Sequence, residues 1–269
     1  MKIDRAFCDA LERSEVAGLQ QCIRNTQARF PQLHPAVSEI GGGVAVYAGV
    51  NSPLSEANCI GLWEHAGRDE AEALTTFYRT RGAQPRVRVT PYTDPAFVHA
   101  LTELGYVPLE YENGLTGDLR AIGGRRDPRV AVMVNAQEWS AATGSAFMDG
   151  APCDESNLII GLTISTLPET TALEIRVDGV IVASGCMDVQ GEIAGFYGAA
   201  TAPAFRGRGL QSVLIADRIA RAVERGARFG RVTTRPGTTS EQNFRRSGFV
   251  PLYTRTIWGI PCSDSVSAS

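Results

Sequence analysis

Apolar positions recur at helical spacing in "LQSVLIADRIARAVE", residues 210–224. Leu214, Ile215, Ile219, Ala222 and Val223 predict one buried stripe, with Arg218, Arg221 and Glu224 off it. The stretch "EAEALTTFYRT", residues 70–80, predicts a second helix of the same kind. Each runs into Arg-Gly-Ala, at 81–83 and 225–227, whose glycine predicts a left-handed helix stop. A short β-branched run follows each, then a turn marked by Pro or Gly ("PYTDP", "RPGTT"). A short helix comes next ("AFVHALTEL", "SEQNFRRS"), ended by Gly105 or Gly248 ahead of an apolar strand. Both halves therefore predict strand-helix-strand-helix-strand, an α/β plan.

The parallel extends to the letters. "GYVPL" at 105–109 and "GFVPL" at 248–252 stand 143 positions apart, as do Arg88-Val89-Thr90 and Arg231-Val232-Thr233. The two Arg-Gly-Ala triplets are offset by 144. Three matches in one order with a single one-residue slip indicate a duplicated domain, since the period is too long for a solenoid unit. Residues 117–128, "GDLRAIGGRRDP", are rich in Gly, charge and Pro and are expected to be the linker. "RVDGVIVASG" predicts a hairpin turning at Asp178-Gly179, and "EIGGGVAVYAGV" (39–50) a strand with a bend rather than a nucleotide loop.

Composition narrows the chemistry. At 269 residues and 43% hydrophobic content the chain can bury two cores of ordinary size. A net charge of −3 gives no support to a nucleic-acid or anionic-membrane partner. No apolar run reaches transmembrane length, and the N-terminus has no signal-peptide core. The six cysteines (8, 22, 59, 153, 186 and 262) form no CxxC pair, the pattern of reduced thiols in a cytosolic protein, and "CSDSVSAS" is expected to be a frayed tail. Lys2 is the only lysine, which excludes a Walker A loop and a Schiff-base mechanism. The three histidines, His34, His65 and His99, all lie in the first half, so the second half has no histidine of its own for a triad or a metal. No metal is expected.

The copies part company just before their long helices. The second reads "TAPAFRGRGLQS" (201–212) where the first reads "GLWEHAG" (61–67). Gly207 and Gly209 allow backbone N–H groups to converge at the mouth of a helix, which adds its own unpaired N–H groups and partial positive charge. Arg206 and Arg208 can add charge-assisted hydrogen bonds to an anion such as a phosphate. Four letters alone favour a solvated turn, or a helix start with exposed arginines, by about two to one. The order strand, Pro, aromatic, R-G-x-G-L, amphipathic helix, strand, short helix, G-F, strand is far more specific.

On Arg206, Gly207, Gly209, Leu210 and Gly248-Phe249, residues 130–260 resemble a GNAT-superfamily acyltransferase. The family loop [QR]-x-x-G-x-[GA] is met except at its last position, which is Gln211. The first half resembles the same fold more faintly, without the phosphate loop. The resemblance implies an α/β (α+β) chain of two GNAT-like domains, each a mixed, mostly antiparallel sheet flanked by helices. It divides into a degenerate domain at 1–120, a linker at 121–129 and an active domain at 130–269.

It further implies acetyl-CoA or another acyl-CoA as co-substrate, and a small-molecule amine as acceptor, in a monomer or homodimer. Arg206, Gly207, Arg208, Gly209, Leu210, Gln211 and Ser212 would hold the pyrophosphate. Ala199, Ala200 and Thr201 would pair with the pantetheine arm, and Asn243 would touch it or solvate its helix. Glu192 is the first candidate for general base and Asp188 the second, each otherwise a solvated hairpin carboxylate. The Tyr usual in the family as general acid is Phe244 here, leaving Tyr253 or Tyr197 to protonate the thiolate, or no acid at all. "AQEWSAATGSAFM" and "SNLIIGLTI" would line the acceptor side, with Trp139, Phe147 and Glu155 as contacts or core. A non-catalytic acyl-CoA sensor or scaffold and an O-acyltransferase are the alternatives.

Overall fold

The computed structural model describes residues 2–261; the expected tail at 262–269, with Cys262, lies outside them. In chain order the elements are α1 (Arg5–Arg29), β1 (Ala36–Ile40), β2 (Gly43–Tyr47), β3 (Ala57–Asn58), α2 (Arg68–Arg79), β4 (Arg86–Val89), α3 (Pro95–Glu103) and β5 (Val107–Asp118). A one-turn helix α4 (Leu119–Ile122) leads to β6 (Val130–Val132), α5 (Ala136–Phe147), α6 (Glu155–Ser165), β7 (Thr170–Val177), β8 (Val180–Gln190) and β9 (Ile193–Thr201). Then come α7 (Leu210–Glu224), β10 (Phe229–Thr234), α8 (Thr239–Arg246) and β11 (Val250–Gly259).

The chain forms two compact units, and neither is a simple half. Of the described residues, unit 1 comprises those up to Ser14 and Gly114–Leu252; unit 2 comprises Glu15–Asn113 and those from Tyr253 on. The expected division at 121–129 differs from this because strand pairing, not chain order, assigns residues to a core. Residues 253–259 of β11 pair antiparallel with β4, Thr256 opposite Val89 and Gly259 opposite Arg86. Residues 117–128 are not a free linker either. Arg125 N–H donates to Ala216 O, Arg126 pairs with Asp217 and Glu224, and Gly124 lies so close to α7 that a Cβ would meet Ala220 N at 2.1 Å.

Unit 2 orders its strands β1-β2-β3-β4, then the β11 and β5 segments it owns, over a core that includes Leu74, Tyr78, Val87, Phe97, Leu101 and Tyr106. In place of one bent strand, the run 39–50 is a hairpin, β1 and β2 turning through Gly41 and Gly42, both with positive φ. Unit 1 orders the end of β5, then β10-β9-β8-β7-β6, all pairings antiparallel among β6 to β9 and parallel between β9 and β10. Its core joins Ile215, Ile219 and Ala222 of α7 to Met187, Phe196, Phe244 and Phe249.

The repeat holds at the level of single hydrogen bonds. Gly82, Gly105, Gly226 and Gly248 all have positive φ and end their helices. In each case the next residue reaches back five positions: Ala83 N to Tyr78 O, Tyr106 N to Leu101 O, Ala227 N to Ala222 O, and Phe249 N to Phe244 O, at 2.9–3.1 Å. A left-handed residue at this point satisfies the last helical carbonyls, which is why glycine recurs there.

Candidate functional site

Strand β9 and helix α7 meet through residues 202–209. Gly207 and Gly209 adopt φ of 75° and 72°, a conformation that costs an L residue with a Cβ but not glycine. Gly209 is the N-cap residue, with no side-chain cap and no acidic residue in the first turn of α7. The first helical bond recorded there runs from Val213 N to Gly209 O, so the N–H groups of Leu210, Gln211 and Ser212 lack helical acceptors. These donors, with the helix dipole behind them, form a cradle suited to a phosphate.

The arginines of the loop are committed elsewhere. Arg206 pairs with Asp149 and donates to Ala146 O (3.1 Å) and Thr201 O (3.2 Å). Arg208 donates to Ala204 O at 3.0 Å, its guanidinium 4.8 Å from the Phe205 ring centroid. Both therefore brace the loop, and the donors left open there are backbone N–H groups. Gln211, standing where the family has a small residue, donates its amide to Ala200 O (2.7 Å), Thr201 Oγ1 (3.0 Å) and Ser184 O (3.3 Å). It thereby ties the helix to the end of β9.

An open groove of about 610 Å³ runs beside this cradle, lined by Ala199, Ala200, Thr201 and Arg206 on one side and Gly237 to Ser240 on another, with Phe147 at its edge. Its origin is a fork in the sheet. Strands β9 and β10 pair in parallel only at Phe229–Ile193, Gly230–Ala194 and Arg231–Gly195. Beyond that point β9 is also kinked: Ser184 faces Ala200 but Cys186 faces Tyr197, so Gly198 and Ala199 both oppose Gly185, a β-bulge with Gly198 at φ 60°.

Asp188 lies at the apex of the fork. It forms one row across three strands with Gly195 and Arg231. Its Oδ1 accepts from Gly195 N at 3.1 Å, Oδ2 accepts from Gln190 Nε2 at 3.0 Å, and Arg231 Nη2 is 3.8 Å away. The side chain is buried, 4% exposed.

The other expected residues are spread more widely. Glu192 is exposed in the β8–β9 turn, its carbonyl accepting from Arg228 N and Phe229 N. Thr201 is the last of the nine residues of β9, which begins directly after Glu192, so the two lie roughly 25–30 Å apart at the ordinary rise of a strand. Tyr253 belongs to unit 2, where its ring meets Tyr92 edge-on at 5.8 Å, and it is not among the residues lining the groove. Tyr197 hydrogen-bonds the Thr170 hydroxyl. Asn243 accepts from Arg246 on the half-buried side of α8. Trp139 is a core residue, fully buried with Nε1 donating to Leu173 O at 3.0 Å; Glu155 is exposed in the first turn of α6.

One residue reverses its expectation. Arg218, read as off the apolar stripe of α7, is completely buried. Nε donates to Leu214 O (3.2 Å) and Nη1 to Cys186 O (3.1 Å), while Nη2 has no hydrogen-bond partner. The rings of Phe196 and Phe244 lie 5.6 and 5.9 Å from its guanidinium. Burial pushes its pKa down to about 10, opposed only by the Cys186 thiol, so it stays charged at neutral pH. The spacing carried the signal: 218 is four past Leu214 and four before Ala222, inside the stripe rather than beside it. Asp149 and the lining residues 237–240 had no signal of their own.

Solved structures resemble this architecture along most of its length. A GCN5-related N-acetyltransferase from Kribbella flavida superposes with a TM-score of 0.62 at 19% identity, covering 91% of this chain and 97% of its own. The fold is that of the GNAT acetyltransferases. A putative GNAT-family acetyltransferase from Novosphingobium aromaticivorans gives a TM-score of 0.55 at 18% identity over 89% of this chain and 97% of that one. A tandem GNAT protein from the clavulanic acid biosynthesis pathway gives 0.56 at 14% identity over 90% and 89%. No family model matches the sequence, and no curated protein matches it. At these identities the GNAT likeness is one of fold, and the chemistry rests on the site. Among the described residues no group of acidic, His or Cys side chains could hold a metal ion, and no helix is long and apolar enough to cross a membrane.

Proposed function

We propose that this chain is an acyl-CoA-dependent N-acyltransferase, with acetyl-CoA as the simplest donor and a small-molecule amine as acceptor. The observation that carries the reading is the cradle at Gly207–Ser212, with left-handed glycines, N–H groups lacking helical acceptors and no acidic residue in the first turn of α7, opening on the groove along Ala199–Thr201. Those N–H groups would take the pyrophosphate, and the strand edge beside the bulge would pair with the pantetheine arm. A strand N–H beside the groove would polarise the thioester carbonyl in the manner of an oxyanion hole.

An amine acceptor is protonated at neutral pH and must lose a proton before attack. Asp188, buried at the fork, suits the role of general base better than Glu192, which faces solvent in a turn. The cytosolic setting and a monomer or homodimer stay part of the proposal.

A sensor that binds acyl-CoA without turnover is the second reading, favoured by Phe244, which has no proton to give and is buried. Coenzyme A release from acetyl-CoA across a library of amines separates the two. Turnover supports the enzyme, and saturable binding with no release on any amine supports the sensor. Mass analysis of the product distinguishes an amide from the ester of an O-acyltransferase.

A further inference from the structure

Helix α7 carries a buried positive charge that no carboxylate among the described residues neutralises. No carboxylate pairs with Arg218, and the interior offers it two backbone carbonyls and two aromatic faces. A lone buried charge is strongly unfavourable, whereas a leucine or methionine would fill the same space without penalty. The sheet is also shaped around it: a Cβ on Gly185 would lie 3.1 Å from the guanidinium carbon and from Nη1.

The position is specific. Gly185 is the residue opposite the bulge of β9, whose Ala199 lines the groove. Phe244, which faces the guanidinium, stands one helical turn after the groove-lining Ser240. The guanidinium therefore lies between Gly185, opposite the bulge, and the Phe244 ring of α8, and its Nη2 has no hydrogen-bond partner.

We propose that Arg218 is an electrostatic positioning residue for the leaving thiolate. The inference rests on the acyl-CoA reading above. In the transfer the amine nitrogen bonds to the thioester carbon, the carbon–sulfur bond breaks, and its electron pair departs on sulfur. The amine proton passes to the base. No tyrosine at 244 can neutralise the sulfur, and Arg218 lowers the cost of leaving it as a thiolate without moving a proton itself.

The test is a titration of the coenzyme A thiol on the protein, followed by ultraviolet thiolate absorbance, with the same titration using desulfo-coenzyme A subtracted. On the wild type the bound thiol is expected to titrate about one pH unit or more below free coenzyme A in the same buffer, an approximately tenfold gain in thiolate at fixed pH. R218M should return it to the free value and R218K should keep part of the shift. If R218M does not fold, the wild-type comparison and R218K still decide. A bound thiol that titrates like the free one, or identically in wild type and R218M, overturns the inference while leaving acyl-CoA binding in place. Failure of the wild type to bind coenzyme A at all overturns the proposed function instead.

Discussion

Helix α2 begins at Gly67, whose N–H donates to its own Glu70 carboxylate at 2.7 Å, and Asp69 adds a second acid to the first turn. Helix α7, its counterpart in unit 1, begins at Gly209 with no side-chain cap and no acid in that turn. The same piece of fold thus satisfies its N-terminal donors internally in one copy and leaves them open in the other. An external anion can compete only where no internal one is present. The next strands differ in the same sense. Arg88 on β4 is enclosed by Glu15 (2.8 Å), Glu56 and Glu112 (3.3 Å). Arg231, at the matching repeat position on β10, meets Asp188 at 3.8 Å and Ser14 Oγ at 3.2 Å. Arg88 thus faces three carboxylates of its own unit, whereas Arg231 meets one carboxylate and a serine.

The largest expected effect lies at the fork. D188N should lower kcat about 100-fold or more with little change in acetyl-CoA affinity, the usual scale for losing a general base, while E192Q stays within about twofold. Equal losses in both variants would return the role to Glu192. Next is a transplant of the unit 2 cap: S212E places a carboxylate at the third position of α7, as Glu70 stands in α2. It should weaken acetyl-CoA binding roughly 30- to 100-fold through repulsion and occupied donors, with the melting temperature essentially unchanged.

Within unit 2, E56Q should cost about 2 kcal/mol by urea denaturation. That is less than the ~3–5 kcal/mol for an isolated buried pair, because Arg88 keeps Glu15 and Glu112. Burial raises the Glu56 pKa, with Arg88 pulling it down, Glu112 pushing it up, and Arg255 and Arg86 pulling it down further. A raised carboxyl pKa favours the folded state below the unfolded value and loses that contribution as pH rises through the folded one. The stability difference between wild type and E56Q should therefore shrink over that pH window and level off above it. The smallest effect is expected from E70S, about 1 kcal/mol off stability from the lost cap, with no gain of acetyl-CoA binding by unit 2.

How much of this was legible in sequence depends on the range of the interaction. Glycine stops at 82, 105, 226 and 248 and the left-handed glycines 207 and 209 ahead of α7 are local, so their letters carry them. The exchange of residues 253–259 into unit 2 is a matter of strand pairing across more than 150 positions, which no local pattern encodes. Tyr253 follows Gly248 closely in sequence, which makes it a candidate acid there, yet the chain has entered unit 2 by that point. Arg218 was legible in its spacing and was masked by its type, since a charged residue on an amphipathic helix is ordinarily assigned to the solvent face. Gln211 departs from the family's small residue, and only its three hydrogen bonds show what it is for.

The central claim is that one copy, through the first turn of α7, holds the acyl-CoA. Isothermal titration of acetyl-CoA into wild type and S212E tests it most directly. The account expects one molecule bound per wild-type chain and binding all but lost in S212E at unchanged melting temperature. No binding by the wild type, two molecules per chain, or equal affinity in S212E would contradict it.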